Sequence, residues 1–468
     1  NERLYVFAQP LMREIAYGAQ LETHRARMHA RLAQILERGG AAAGRSIAHH
    51  WAAAGEWQHA GQWNLQAASW LAARDARACA EQYQLAVAHL DKAPITEEVR
   101  RLRIAARAGL IRISQFWNFP EDVTCRAYEE AHRLAEESGD PTIAAELMIS
   151  FGNEQLHRGR AERSVSLVRE AFRLAPEPAR PVLANRFRLA ILMTHSAVGR
   201  IQDGVALSNE MGGDRWLTGP IDADNHLSRG FMVLRLLWTG ELRRAMADLE
   251  AAIGVAVREG RSSSWMHAFR VDAAWFSGDP TGVLDAARRA MEQAEAFGSL
   301  FFRAVAFRAF GEALCLLGRH QDALAPLLES RPLTAQGAGA YQFEANHLAV
   351  LCEAGHGAGR LEDAAEWGRT AVESAQRSGS RLWELRAWAA RLALPESVLP
   401  SDEARAGFDR AWGLVDLTQA EGLRPKLEEL SGLREQDPAR RRQSLQRAVQ
   451  GYERIGAAHH AERLSRLL

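Results

Sequence analysis

Residues 301–330, FFRAVAFRAFGEALCLLGRHQDALAPLLES, hold two amphipathic segments separated by one glycine. Apolar residues of the first segment recur every three or four positions, on one face of a helix, at Phe301, Val305, Ala309, Ala313 and Leu316 or Leu317. Gly318 predicts the end of that helix, because glycine readily adopts the left-handed conformation of a helix C-cap. The second segment carries its own apolar stripe, at Ala323, Leu324, Leu327 and Leu328. The stretch therefore predicts two antiparallel helices joined by a tight turn.

The same glycine turn recurs through the centre of the chain. Six glycines occupy equivalent positions, at Gly159, Gly199, Gly240, Gly278, Gly318 and Gly359. Successive members are 40, 41, 38, 40 and 41 residues apart. A fixed period of this size is typical of a repeat array, in which each unit buries its apolar face against the next.

Small residues recur at two fixed distances after each turn glycine. Five residues on stand Ser164, Gly204, Ala245, Val283, Ala323 and Ala364. Twelve residues on stand Ala171, Met211, Ala252, Ala290, Ser330 and Ala371. The two positions share a helix face, because they differ by about two helical turns. Small side chains there favour close packing of neighbouring helices.

Small residues on the second helix and bulky ones on the first, such as Trp238 and Leu316, resemble the tetratricopeptide (TPR) repeat superfamily. A standard TPR unit has about 34 residues. The longer period here is similar to the irregular TPR-like repeats of bacterial signalling ATPases. The resemblance implies an all-α fold, a right-handed α-solenoid of TPR-like antiparallel helix pairs with a period of about 40 residues. An ordinary helical bundle with coincidentally spaced glycines is the alternative.

A sharper resemblance lies at the beginning of the chain. It rests on the segments FAQPLMREIAY (7–17), RARMHARLAQILE (25–37) and IAHHWAAAGE (47–56). Together they resemble the junction at which the ATPase module of bacterial multidomain regulators passes into its TPR-like tail. Such ATPases occur in adenylate/guanylate cyclase-type proteins and in LuxR-type transcription regulators. The closing segment YERIGAAHHAERL (452–464) is similar to the last repeat of the cyclase-type tails.

This reading divides the chain into three segments. Residues 1–38 are expected to be trailing helices of an upstream ATPase or winged-helix-like module. Residues 39–392 form the TPR-like solenoid, and residues 393–468 hold further repeats after a break marked by Pro395 and Pro400. A loop is expected at 212–225 and a shorter gap at 336–339. Because the sequence starts at Asn1 within a running pattern, we expect a fragment of a longer protein.

Composition limits the partners of the chain. Its 58 basic and 58 acidic residues cancel, which argues against a general nucleic-acid or membrane-binding surface. The four cysteines are scattered and form no C-x-x-C pair, so the pattern indicates neither a zinc site nor a disulfide framework. The sequence shows no signal peptide and no run of 18 apolar residues. A cytoplasmic location is therefore expected.

The search for catalytic residues gives a negative prediction. A phosphate-binding loop needs a lysine after its last glycine, and neither Lys92 nor Lys426, the two lysines of the chain, follows such a loop. We therefore predict no enzyme activity, no catalytic or cofactor-binding residue and no cofactor in this chain. The catalytic parts that the resemblance implies would lie upstream.

Other polar clusters have structural explanations. The histidine pairs His49–His50 and His459–His460 are adjacent along the chain and point in different directions on a helix, so neither is expected to chelate a metal. His24 and His29, five residues apart, are also out of register. The arginines at 440–442 are expected to form a solvated face. Most of the 13 tryptophans are expected in the core, with a few lining a concave face.

These observations favour a regulatory interaction module. A stack of helix pairs offers a concave face to a protein or peptide partner or to a small effector. In the cyclase-type context it would sense an input and control the ATPase domain joined to it. The alternative is the sensor region of a LuxR-type transcription regulator without its DNA-binding segment. An enzyme with a helical active site that no motif reveals is the third hypothesis.

Overall fold

The computed structural model describes residues 10–72, 74–335 and 340–468. The described chain forms two compact units. Unit 1 takes the residues up to Ile113 together with Asp122–Glu137, and unit 2 takes Ser114–Glu121 and Ser138–Leu468. Neither unit contains a β-strand among the described residues.

Unit 1 contains seven helices among the described residues. They are α1 (Pro10–Gly18), α2 (Glu22–Leu36), α3 (Gly44–Ala53), α4 (Trp57–Leu71), α5 (Ala76–Leu90), α6 (Glu97–Ile113) and α7 (Glu121–Ser138). A 3₁₀ segment, Glu37–Ala43, joins α2 to α3. Of these helices, α2 to α6 pack as consecutive neighbours.

The helices of unit 2 alternate between a first and a second member of each pair. They are α8 (Pro141–His157), α9 (Ala161–Leu174), α10 (Arg180–Ala197), α11 (Ile201–Gly212), α12 (Arg215–Thr218), α13 (His226–Thr239), α14 (Leu242–Arg258), α15 (Ser264–Ser277), α16 (Val283–Phe297), α17 (Leu300–Leu316), α18 (His320–Thr334), α19 (Glu344–Gly357), α20 (Leu361–Ser378), α21 (Arg381–Leu392), α22 (Ser401–Thr418), α23 (Arg424–Arg434), α24 (Pro438–Ile455) and α25 (Ala458–Ser465). Short 3₁₀ segments at Glu177–Ala179, Tyr341–Phe343 and Glu421–Leu423 precede α10, α19 and α23. The predicted all-α array of TPR-like helix pairs is confirmed.

The turn glycines adopt the predicted left-handed conformation, and the small residues that follow them are buried between helices. All six glycines have φ between 71° and 86°, the left-handed region in which a side chain would be strained. The small residues Ala245, Ala290, Ala323 and Ala364 have no exposed surface. The second helices therefore press these positions against their neighbours, which is the close contact that small side chains permit.

The two helices of a pair differ in burial. In α17, twelve of the 17 residues are buried, including charged ones, whereas α18 buries only five of 15. The first helices of the other central pairs are buried on most sides in the same way. The first helices therefore line the inside of unit 2, and the second helices carry its solvent-facing surface.

Unit 2 also makes regular contacts between distant pairs. Four turn glycines lie against positions that are each 182 residues further along the chain: Gly159 against Tyr341, Gly199 against Arg381, Gly240 against Gly422, and Gly278 against His460. A methyl group added at Gly159 would lie 2.4 Å from the ring of Tyr341, and one at Gly278 would lie 2.9 Å from the ring of His460. The array in unit 2 thus returns on itself after four to five pairs.

The boundaries of the two compact units differ from the segment boundaries suggested by the sequence. The division into units falls near residues 114 and 138, whereas the sequence suggested 38 and 392; the assignment of those three segments to functional modules stays a prediction. The expected loop at 212–225 contains the short helix α12, because Trp216 anchors it in the core with 6% of its surface exposed. The expected gap at 336–339 and the first part of the junction motif, residues 1–9, lie outside the described residues.

Candidate functional site

The inside of unit 2 contains a cavity of about 380 Å³. Its wall is built by α15, α17, α19, α21, α23, α24 and α25, which are mostly first helices of successive pairs. The wall carries ionisable side chains, among them Glu312, Glu353, Lys426 and His460, beside the aromatic Trp275. A cavity of this size, with apolar walls and a few converging polar groups, is the usual form of a small-ligand site.

One of the contacts between residues 182 positions apart, that of His460 with α15, lies in this wall. The ring of His460 donates from Nε2 to the carbonyl oxygen of Trp275 over 3.0 Å and stacks on Tyr452 with ring centroids 4.8 Å apart. Burial lowers the pKa of His460 to about 4, so its ring is neutral near pH 7. The last helix, α25, therefore meets α15 beside the cavity.

A buried network of charges stands behind one part of the wall. Arg308 binds Asp272 through two hydrogen bonds of 2.7 and 3.1 Å and also pairs with Glu312. Arg386 binds Glu353 through bonds of 2.6 and 2.7 Å and reaches Glu312 at 3.1 Å. Ion pairs that are removed from water in this way are held by mutual hydrogen bonds that satisfy their charged atoms.

The three acids of this network occupy one repeat position. Asp272, Glu312 and Glu353 each precede their turn glycine by six residues, so the array places them on the same inner face of α15, α17 and α19. This periodic acid was the available sequence signal, and sequence reasoning missed it because each acid by itself looks like a solvated helix residue. All three are instead buried or nearly so, with Glu312 only 1% exposed.

Charge and burial act strongly on these groups. Burial raises the pKa of Glu312 to about 7, against the opposing attraction of Arg308 and Arg386. The Arg386 guanidinium also lies over the ring of Trp275, 4.0 Å from its centroid, a favourable cation–π contact. Burial raises the pKa of the Cys315 thiol in the wall, so this cysteine is a poor nucleophile.

A second cluster surrounds Glu429 in α23. Its carboxylate accepts hydrogen bonds from Tyr452 over 2.6 Å and from Arg463 over 2.7 Å. The Lys426 ammonium lies 3.6 Å away. Burial opposes the charge of Glu429, but Lys426 and Arg463 outweigh it and lower the pKa of this carboxyl to about 2.

The histidines of the sequence analysis lie elsewhere or act structurally. His459 is exposed beside Asp279, at 3.9 Å. In unit 1, Nδ1 of His29 lies 2.8 Å from Nδ1 of His50, a contact between α2 and α3 that pairing by sequence neighbours missed. Among the described residues, no group of three or more potential ligands is arranged to hold a metal ion.

The arginines lie where they were expected, whereas only five of the 13 tryptophans are fully buried and most of the others are partly exposed. Residues 440–442 are exposed on α24. Trp216, Trp238, Trp367 and Trp388 are buried, while Trp275 is half-buried at the cavity. In the part of the chain that the structure describes, no helix combines the length and the apolar character needed to cross a membrane.

No protein-family model matches the chain, and no curated protein is significantly similar to it. Among solved structures, a Rap protein complexed with competence and sporulation factor is 12% identical, with 70% of this chain and 97% of that chain covered and a TM-score of 0.49. A signal transduction ATPase with numerous domains and a tetratricopeptide repeat sensor, from Pyrococcus horikoshii, is 12% identical over 90% of this chain and 73% of that chain, with a TM-score of 0.35. The P58(IPK) TPR domain is 12% identical over 87% and 98%, with a TM-score of 0.24. These similarities concern helical-repeat architecture only, and no functional conclusion rests on them.

Proposed function

We propose that this chain is a regulatory sensor module whose unit 2 takes a small effector, or a short part of a protein partner, into the cavity between α15 and α25. The observation that carries the proposal is a ligand-sized cavity lined by helices of successive pairs, with charged and aromatic side chains in its wall. An open concave face was expected from the repeats. In unit 2 the contacts across 182 residues bring distant pairs together, and the cavity lies beside one of them.

Ligand binding would act through this return of the array on itself. A molecule in the cavity touches helices from five pairs at once, so it binds the closed arrangement better than an open one. Differential affinity for two arrangements is what allows a ligand to shift their populations. The contact of His460 with Trp275 lies where distant pairs meet, and it is the first contact that such a shift would change.

The motif resemblance at residues 7–56 supports a signalling ATPase as the parent protein, with the ATPase domain as the partner in cis. The cyclase-type context is our first proposal, and the sensor region of a LuxR-type regulator is the alternative. In either context we propose no catalysis by this chain, no nucleic-acid or membrane binding by it, and a cytoplasmic location. Whether the parent gene encodes a cyclase domain or a DNA-binding segment would decide between the two contexts.

The test is a thermal-shift screen of the purified chain with nucleotides, sugars, amino acids and short peptides, followed by titration calorimetry of each hit. The variant Ala393→Phe, which places a ring into the cavity wall, should abolish the shift. The exposed position Ala439→Phe on α24 is the matched control and should leave the shift unchanged. Hits that bind both variants as tightly as the parent chain would show that the cavity is not the site.

A further inference from the structure

The chemistry of the cavity wall narrows the class of ligand, an inference that rests on the proposed function. In the inner network, three carboxylates, from Asp272, Glu312 and Glu353, face two guanidiniums, from Arg308 and Arg386. When Glu312 is ionised, one negative charge is uncompensated in a buried place where charge is costly, and burial accordingly raises the pKa of Glu312 to about 7. Glu312 and Glu353 both belong to the cavity wall, with 1% and 21% of their side chains exposed, so a ligand cation would meet Glu353 and would favour the ionised form of Glu312 behind it.

The second cluster has the opposite imbalance. One carboxylate, Glu429, faces the two cations Lys426 and Arg463. Glu429 already accepts from Tyr452 and Arg463, and at 3.6 Å the Lys426 ammonium is too far for a hydrogen bond to it. Lys426 therefore keeps donors free for an anion, and it belongs to the cavity wall with 26% of its side chain exposed.

The two clusters lie on different helices of the cavity wall. The charges that act most strongly on Glu312 are those of Asp272, Arg308, Glu353 and Arg386, on α15, α17, α19 and α21. Lys426 acts instead on His460, on the part of the wall formed by α23, α24 and α25. A ligand that spans the cavity thus meets an acidic part on α17 and α19 and a basic part on α23.

The wall also offers apolar surface and one unsatisfied polar atom among the described residues. Phe276, Leu316, Ala389 and Leu423 contribute apolar contacts. Nδ1 of His320 is buried and has no hydrogen-bond partner within the described ranges, which is uncommon for a buried ring nitrogen. A ligand group that bonds this nitrogen would remove the deficit.

From these features we propose that the cavity binds a small zwitterion with an apolar body, either a free amino acid or a short peptide. Its ammonium group would lie at Glu312 and Glu353, and its carboxylate at Lys426. The apolar body would pack between Phe276, Leu316 and Leu423. Both ends use charge-assisted hydrogen bonds, which are stronger than neutral ones and specific for the sign of the charge.

The experiment compares ligands that differ by one charge. L-phenylalanine, L-leucine and the dipeptide leucyl-phenylalanine are titrated into the full chain by calorimetry, beside N-acetyl-L-phenylalanine and L-phenylalanine amide. The free zwitterions should bind at least about tenfold tighter than either blocked form, because each blocked form loses one charged contact with the cavity wall. Tighter binding of the dipeptide than of both amino acids would identify a peptide as the source, and the reverse order would identify a free amino acid.

Two variants test which side chains bind the ammonium and the carboxylate of the ligand. Glu312→Gln balances the inner network, so the chain should fold at least as stably while the zwitterion binds about tenfold more weakly and the amide of phenylalanine loses affinity equally. Lys426→Met should weaken only ligands with a free carboxylate. Lys92→Met, which changes the other lysine of the chain, in unit 1, is the matched control and should change nothing.

The possible failures are distinguishable. If blocked and free forms bind alike, or if no amino acid or peptide binds, the zwitterion assignment is wrong. A nucleotide or sugar from the wider screen that still loses its thermal shift in Ala393→Phe would then leave the cavity as a binding site of another ligand class. If no compound of either panel binds, both this inference and the proposed function fail.

Discussion

Replacing Gly422 by alanine tests the contact that closes unit 2. A methyl group at Gly422 would lie 2.2 Å from the carbonyl oxygen of Leu237, 2.9 Å from that of Trp238 and 3.0 Å from the amide nitrogen of Gly240. These are backbone atoms at the end of α13, so no rotation of a side chain relieves the clash. Gly422 does not have a positive φ, so alanine itself is compatible with the local backbone.

The expected magnitude follows from two opposing effects. Alanine restricts the unfolded chain more than glycine does, which stabilises by up to about 1 kcal/mol. Overpacking of a rigid contact costs about 1–3 kcal/mol, and backbone atoms on the facing side place this case at the upper end. The net loss is therefore about 2 kcal/mol. Gly413 in α22 is the matched control, because a methyl group there meets nothing within 4 Å and the helix should gain about 1 kcal/mol from alanine.

The assay is unfolding by heat and urea, followed by circular dichroism. Gly422→Ala should lower the melting temperature and Gly413→Ala should raise it, with a difference between the variants of about 3 kcal/mol or roughly 4 °C for a unit of this size. Hydrogen exchange should also speed up at the end of α13 and at residues 421–423. Equal stabilisation by both alanines would refute the packing of the 3₁₀ segment Glu421–Leu423 against α13 and, with it, the return of the array on itself.

Three further predictions use single positions. Gly278→Ala should cost about 1–3 kcal/mol more than Gly318→Ala in urea unfolding, because both need a positive φ but only the first meets the ring of His460; equal losses would contradict the contact. The raised pKa of Glu312 means that the folded state keeps its proton up to about pH 7, so the free energy of unfolding should fall as the pH rises from about 4.5 to 7. Glu312→Gln should remove that fall, and an unchanged pH profile would count against the buried network. Burial lowers the pKa of His347 to about 4, so its contribution to stability is lost as the pH drops from about 6.5 to 4. When the midpoint of urea unfolding is measured from pH 7 to 4.5, His347→Gln should reduce its decrease at acidic pH. The same decrease as in the parent chain would contradict burial of a neutral ring.

Local features were readable from the sequence because they depend on near neighbours. The spacing of Gly159 to Gly359 predicts the turns, and the small residues five and twelve positions later predict the packed face. The N-cap at Asp437 followed by Pro438 also predicts where α24 begins, and the Asp437 carboxylate accepts a bond of 2.8 Å from the amide of Arg440. Each of these signals acts within one repeat or between adjacent repeats, which is the range over which a solenoid is stabilised.

The cavity was decided by tertiary structure alone. Its closure depends on the small rotation between successive pairs, summed over four to five of them, until Gly278 meets His460. No sequence motif specifies this total rotation, because every packing angle between neighbouring helices contributes a small part of it. For the same reason the sequence shows a periodic acid at Asp272, Glu312 and Glu353, while only the folded array shows that two arginines face these three acids and that a cavity lies beside them.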